Sequence, residues 1–130
     1  MKKNDINDRL SELGIYSDYY YRKELKPLVQ LLNFDETLNC IFTGVYNGCR
    51  HMVAITDYRV IIIGAPTIGP LDVKAIRRSG VKEYAFNKKF LTSSVVIKTE
   101  ETVFEFKQVQ RSRYGLFNWA MEQPVKEFEK

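Results

Sequence analysis

Residues 52–63 read Met52-Val53-Ala54-Ile55-Thr56-Asp57-Tyr58-Arg59-Val60-Ile61-Ile62-Ile63. Two apolar runs flank a short polar step. Arg59 to Ile63 does not alternate; it is apolar at successive positions and β-branched, the pattern of a strand buried on both faces. Full burial of Val60, Ile61, Ile62 and Ile63 contributes roughly 1.5–3 kcal/mol each, which makes this strand the centre of the core. Asp57 accepts local backbone N–H bonds, and Thr56 does so more weakly, so Asp57-Tyr58 reads as a tight turn between two antiparallel strands.

Upstream, Leu38 to Tyr46 is rich in β-formers and ends at Asn47-Gly48, the strongest short hairpin signal in the chain. A two-residue turn there pairs Tyr46 with Cys49, sets Gly44 opposite His51 and sets Cys40 opposite Ile55. The two cysteines then lie beyond disulfide reach, and two unpaired thiols point to a reducing compartment. Downstream, residues 64–70 form a loop by composition. Leu71 to Arg78 reads as a strand with Leu71, Val73 and Ala75 inward and a slip at Ile76, the mark of a bulge or bend. Val81 to Phe86, Ser94 to Thr99 and Thr102 to Lys107 complete seven short strands, with Tyr84/Phe86, Val95/Ile97 and Phe104/Phe106 each sharing a face.

Helical periodicity brackets the strands. Asn4 or Asp5 caps a first helix through Leu13, with Ile6, Leu10 and Leu13 on one face and Gly14 as its stop. Ser17 caps a second helix from Asp18, and Pro27 kinks it or opens a fresh turn through Leu32. Its stripe of Leu25, Leu28, Val29 and Leu32 is expected to dock on the strands that follow, a partner-binding helix being the alternative. At the other end a helix begins at Arg111 or Ser112, with Leu116, Phe117, Ala120 and Met121 as its apolar stripe.

Seven strands followed by one amphipathic helix resembles the pleckstrin-homology-like barrel. The segment quoted above is similar to a motif of bacterial pleckstrin-homology-like domains, in which an apolar strand, Thr-Asp, a variable residue and Arg lead into a second apolar strand. Leu71-Asp72-Val73-Lys74-Ala75-Ile76 is similar to the next strand of that pattern, and the whole resembles the YokE-like branch. The resemblance covers roughly residues 35–121. It implies a mainly β, α+β chain: residues 1–34 as an N-terminal helical extension packing on the barrel, and residues 35–130 as a seven-stranded antiparallel PH-like β-barrel capped by its C-terminal α-helix. Thr56, Asp57 and Arg59 then form a structural turn, with Arg59 pairing with Asp57 or reaching carbonyls at a barrel end.

With 130 residues, 45% hydrophobic and 28% charged, the chain is a globular domain able to bury one core without staples. No apolar stretch follows Met1-Lys2-Lys3-Asn4-Asp5, so no signal peptide is expected, and a cytoplasmic location is. The charge of +4 is uneven: −1 over residues 1–36, +6 over residues 37–99 and −1 over residues 100–130. The chemistry of an enzyme is not encoded. His51 stands alone without metal-ligand spacing, a Cys49–His51 pair lacks a third orienting group, and no phosphate loop, nucleophile elbow or dinucleotide fingerprint occurs. No catalytic residue, metal or cofactor is therefore expected.

Two candidate surfaces remain. Lys74, Arg77, Arg78 and Lys82 cluster around the Gly80 turn, and Lys88-Lys89 precede Phe90-Leu91 in a later loop. Cations beside an apolar pair suit an anionic membrane surface, unless Phe90 and Leu91 fold back onto the barrel. Three consecutive tyrosines, Tyr19, Tyr20 and Tyr21, span too wide an arc to be buried together, which offers a contact to a partner. The leading expectation is a non-enzymatic protein-interaction module, for an unidentified protein or a second copy of the chain. Peripheral binding to anionic membrane lipid is the alternative, and nucleic acid is disfavoured because the aromatics alternate inward.

Overall fold

The computed structural model describes residues 3–20, 22–66 and 68–127. Three helices come first: α1 (Lys3–Glu12), α2 (Tyr16–Tyr19) and α3 (Leu25–Leu31). Seven strands follow: β1 (Leu38–Tyr46), β2 (Cys49–Thr56), β3 (Arg59–Gly64), β4 (Asp72–Arg77), β5 (Glu83–Lys88), β6 (Ser93–Lys98) and β7 (Val103–Val109). Helix α4 (Tyr114–Glu122) comes last. One antiparallel sheet runs in the order β4-β3-β2-β1-β7-β6-β5. Among the described residues no helix is long and apolar enough to cross a membrane.

The first hairpin follows from its turn. Asn47 and Gly48 take φ of 52° and 77°, a left-handed pair whose twist matches that of the flanking strands. The register that results pairs Tyr46 with Cys49, Gly44 with His51 and Cys40 with Ile55, and both cysteines are free thiols. Gly44 also marks where β1 crosses β7. A Cβ there would lie 2.9 Å from the Phe106 Cβ, so only glycine lets the two strands approach this closely.

The sheet wraps one core and carries a second on its outside. Inside, Phe42, Val53, Ile55, Val60 and Ile62 meet Val95, Ile97, Phe104 and Phe106 from the opposite wall. Phe117, Ala120 and Met121 of α4 stopper this interior, with the Phe117 ring edge-on to Phe42 at 5.8 Å and beside Phe86 at 5.7 Å. Outside, Ile41, Met52, Ala54, Ile61 and Ile63 are roofed by Ile6, Leu10, Leu25, Leu28 and Leu32 of the N-terminal helices. Two side-chain clamps fasten that roof at one end. The Arg9 Nε donates to the Leu38 carbonyl at 2.7 Å, and the Arg59 Nη2 donates to the Leu31 carbonyl at 2.6 Å.

Several local expectations are corrected. Strand β4 faces the other way: Val73 and Ala75 lie opposite Ile63 and Ile61 in the outer row, while Ile76 lies opposite Val60 and packs on the inner core. Its register with β3 runs without a bulge. The roof of helices stops at β3, so the apolar outer row of β4 stays exposed and mimics an inward set. Helix α1 starts at Lys3, ahead of both expected caps. Helix α2 starts at Tyr16, with Ile15 rather than Ser17 at its N-cap. Pro27 is the third residue of α3, within the first turn, where a missing N–H leaves no bond unmade. The sheet also stays open between β4 and β5. A short 3-10 turn (Arg78–Gly80) crosses that side of the molecule, and Ile76 and Val81 pack on the core from there.

Candidate functional site

The Thr56–Arg59 turn is held together by a residue from outside it. Thr56 Oγ1 donates to Glu36 Oε2 at 2.6 Å and accepts the N–H groups of Tyr58 and Arg59 at 3.1 and 3.0 Å. Arg59 grips the same carboxylate in a fork, Nε to Oε2 and Nη2 to Oε1, both 3.0 Å. Asp57 accepts the Thr37 N–H at 2.9 Å and sits 3.2 Å from the Lys126 ammonium. Arg59 thus pairs with Glu36, and Asp57 takes Lys126. Glu36 is buried and Arg59 partly so, and a guanidinium–carboxylate fork with this many hydrogen bonds is a joint between the α3–β1 connection and the β2–β3 turn. The expected pairing of Arg59 with Asp57 is thus replaced by Glu36, while its Nη2 also reaches a carbonyl, that of Leu31.

Of the cations around the Gly80 turn, one is withdrawn from solvent and two lie beside acids. Arg78 is 5% exposed, and its guanidinium donates to the Thr56 carbonyl at 3.1 Å and the Met121 carbonyl at 2.7 Å. It ties the 3-10 turn to the end of α4, so this member of the expected surface-binding set has its guanidinium withdrawn from the surface. Lys74 reaches both carboxylate oxygens of Asp72, at 3.1 and 3.0 Å, and this bond holds the Asp72 carboxyl below its ordinary range. Arg77 lies 4.0 Å from Glu127. Lys82 precedes β5 and Lys88 ends it, which separates them by about 20 Å along the strand.

Lys88, Lys89, Phe90 and Leu91 do remain together, at the β5–β6 connection. Phe90 and Leu91 are 91% and 83% exposed, so the alternative in which they fold back onto the barrel is not the observed one. The Lys88 ammonium lies 4.1 Å over the ring of Tyr114, the first residue of α4, and that ring stands edge-on to Phe86 at 5.5 Å. This fixes the root of the loop while its tip stands in solvent. Ser93 pairs with Val109, so Leu91 and Arg111 leave the sheet at the same end. Spacing showed the residues of this loop but not their direction.

Of the three tyrosines expected to offer a partner contact, Tyr19 is buried, with its hydroxyl accepting from Arg113 Nε at 3.0 Å. Tyr20 is exposed and stacks on Tyr16 at 5.1 Å between ring centroids. Tyr21 lies outside the described residues.

His51 lies between two glycines, Gly44 on β1 and Gly64 on β3. A Cβ at Gly64 would sit 2.7 Å from the imidazole Nε2, so glycine makes room for the ring, which stands edge-on to Tyr46 at 5.5 Å. Its Nδ1 lies 2.8 Å from the Cys49 carbonyl oxygen, and its Nε2 lies 3.8 Å from Asp72. The imidazole is spent on a backbone carbonyl, an arrangement for packing. A groove of about 580 Å³ opens beside it, between Arg22, Arg50, Pro66 and Asp72. Arg22 there forks onto buried Glu24, so part of its charge is already answered. Among the described residues no group of three His, Cys, Asp or Glu side chains is placed to hold a metal ion.

The structure is similar to the crystal structure of a pleckstrin homology domain from Shewanella amazonensis SB2B, with a TM-score of 0.52 and 15% sequence identity over 83% of this chain and 84% of that one. The chain has a pleckstrin-homology-like fold. A DUF1696 family protein with a pleckstrin-homology domain, from Shewanella loihica PV-4, aligns at a TM-score of 0.43 and 12% identity over 75% of this chain and 84% of its own. No family model matches the sequence, and no curated protein matches it significantly.

Proposed function

We propose that this chain is a non-catalytic, cytoplasmic pleckstrin-homology-like module of the YokE-like branch, and that it docks peripherally on anionic membrane through its β5–β6 loop. The observation that carries this reading is the pair Phe90 and Leu91, standing in water at a loop tip directly after two lysines. Large apolar side chains so exposed are an interaction signal when grouped with cations. Insertion of both contributes about 3–6 kcal/mol. Lys88 and Lys89 add about 1 kcal/mol each at an anionic surface. The sum of about 5–8 kcal/mol corresponds to dissociation constants from about 0.1 mM to micromolar, the range of a reversible peripheral contact.

Sedimentation with phosphatidylcholine vesicles, with and without phosphatidylserine, tests it. The chain is expected to pellet with the anionic vesicles, and a Phe90→Ser/Leu91→Ser double variant is expected to remain in the supernatant with an unchanged unfolding midpoint. Equal recovery of the native chain from both compositions removes the reading.

A second reading, an interaction module for a protein or a second copy, is favoured by strand β4. It is a sheet edge whose outer row includes Leu71 and Val73, 48% and 40% exposed, and edges of this kind accept added strands. Light scattering over a concentration series, with Val73→Lys as the control, distinguishes it: a monomer at every concentration sinks self-association.

A further inference from the structure

The β5–β6 loop rests on Tyr114, and the residue before Tyr114 reaches across the molecule. Arg113 is 5% exposed, and both of its side-chain partners come from the one-turn helix α2. Its Nε donates to the Tyr19 hydroxyl at 3.0 Å, its Nη2 donates to the Asp18 carboxylate, and its guanidinium lies 5.1 Å over the Tyr19 ring. These contacts join residues 94 and 95 positions apart, between the N-terminal helices and the start of α4.

That junction is one of several attachments of the helices to the rest of the fold. The roof is already held by Ile6, Leu10, Leu25, Leu28 and Leu32 and by the Arg9 clamp. For burial alone, an apolar side chain at position 113 would serve as well, because desolvating a guanidinium offsets much of what its ion pair contributes. A forked cation with a carboxylate on one arm and a hydroxyl on the other instead restricts orientation. What it orients is the first turn of α4, hence the Tyr114 ring, hence Lys88 above it.

We infer that Asp18, Tyr19 and Arg113 form a latch that positions the membrane-facing loop, which makes α2 a working part of the docking site. This rests on the membrane reading above. Arg113 acts through Tyr114 and touches no lipid; it is a positioning residue. The latch fixes the direction in which Phe90 and Leu91 leave the barrel, so the apolar pair and the two ammonium groups meet one plane together.

The test uses the full chain with three single variants. Tyr19→Phe removes one hydroxyl and keeps the ring; Asp18→Asn keeps an acceptor and removes the charge. Both are expected to lower partition onto phosphatidylserine-containing vesicles by about three- to tenfold, the equivalent of one hydrogen bond. Amide exchange over residues 88–92 should quicken by a similar factor, with exchange in β1–β3 unchanged. Leu28→Ala, which loosens the roof without touching the latch, is expected to leave partition unchanged. If Leu28→Ala lowers partition as much as the latch variants do, Arg113 is packing alone and the inference falls. If the native chain binds and the latch variants bind equally well, the latch falls and the membrane reading stands. If the native chain ignores anionic vesicles, both fall.

Discussion

Strands β2 and β6 stand in opposite walls of the sheet and each turns a Val/Ile pair to the same core, Val53/Ile55 and Val95/Ile97, yet their outer sides differ. Met52 and Ala54 on β2, and Ile61 and Ile63 beside them on β3, are buried under the N-terminal helices. The outer side of the β5–β7 wall carries Glu83, Asn87, Lys98, Glu105 and Lys107 and faces water. A wall covered on both sides reads as continuous apolar sequence, and a wall with one wet side alternates. The lesson is that the helical extension is written into the strands as much as into the helices.

The most severe way to break the comparison is to remove the roof. Deletion of residues 1–34 bares Ile41, Met52, Ala54, Ile61 and Ile63 at once, and the truncated chain is expected to aggregate or lose cooperative unfolding in urea, followed by circular dichroism. A folded, soluble, cooperative truncation would show that the two walls are equivalent. Next in size, Ile61→Ala is expected to lower stability by about 2–5 kcal/mol in urea denaturation, since its side chain is closed in by the roof.

Alkali probes both cores, Cys40 in the inner one and Tyr19 in the outer one. Burial pushes the Cys40 thiol, on β1, from 9.0 up to about 12, and burial pushes the Tyr19 hydroxyl, in the roof, from 10.0 up to about 12. Both groups fold in their neutral protonated forms. Their contribution is complete below pH 9 and is lost as pH rises toward 12. Stability is expected to fall by about 1.4 kcal/mol per pH unit above 9, and by about twice that once Tyr19 joins above 10. Urea titrations at stepped pH values check this, and Cys40→Ala should abolish the first part of the slope. Gly44→Ala, at the crossing of the two walls, is expected to lose about 1–3 kcal/mol through overpacking against Phe106. The smallest effect belongs to the wet wall: Val103→Ser, at a position 58% exposed, should change stability by no more than about 0.5 kcal/mol. A loss near that of Ile61→Ala would overturn the comparison.

Legibility in the sequence followed the range of the interactions. The Asn47-Gly48 turn set a register that placed Tyr46, Gly44 and Cys40 opposite their observed partners, because a two-residue loop leaves no slack. The inward pairs of β5–β7 and the stripe of α4 were legible for the same local reason. The facing of β4 was not: Val73 and Ala75 are apolar on the outer side, and only the extent of the helical roof separates an outer apolar row from an inner one. Nor was Glu36 as the partner of Arg59, 23 positions away. At the candidate site, the cations of the Gly80 turn and the Lys88–Leu91 loop looked alike as text. Burial of Arg78 and exposure of Phe90 told them apart.

By itself, then, the sequence determined the kinds of element, their order, the hairpin register and the presence of a basic-apolar loop, since periodicity and turn chemistry act over a few residues. Tertiary structure alone decided which cations were withdrawn into the fold, which acid answered Arg59, and that α2 reaches Arg113 beside that loop. Those outcomes depend on desolvation and on groups brought together from distant positions, and no local pattern records which buried charge will meet which partner.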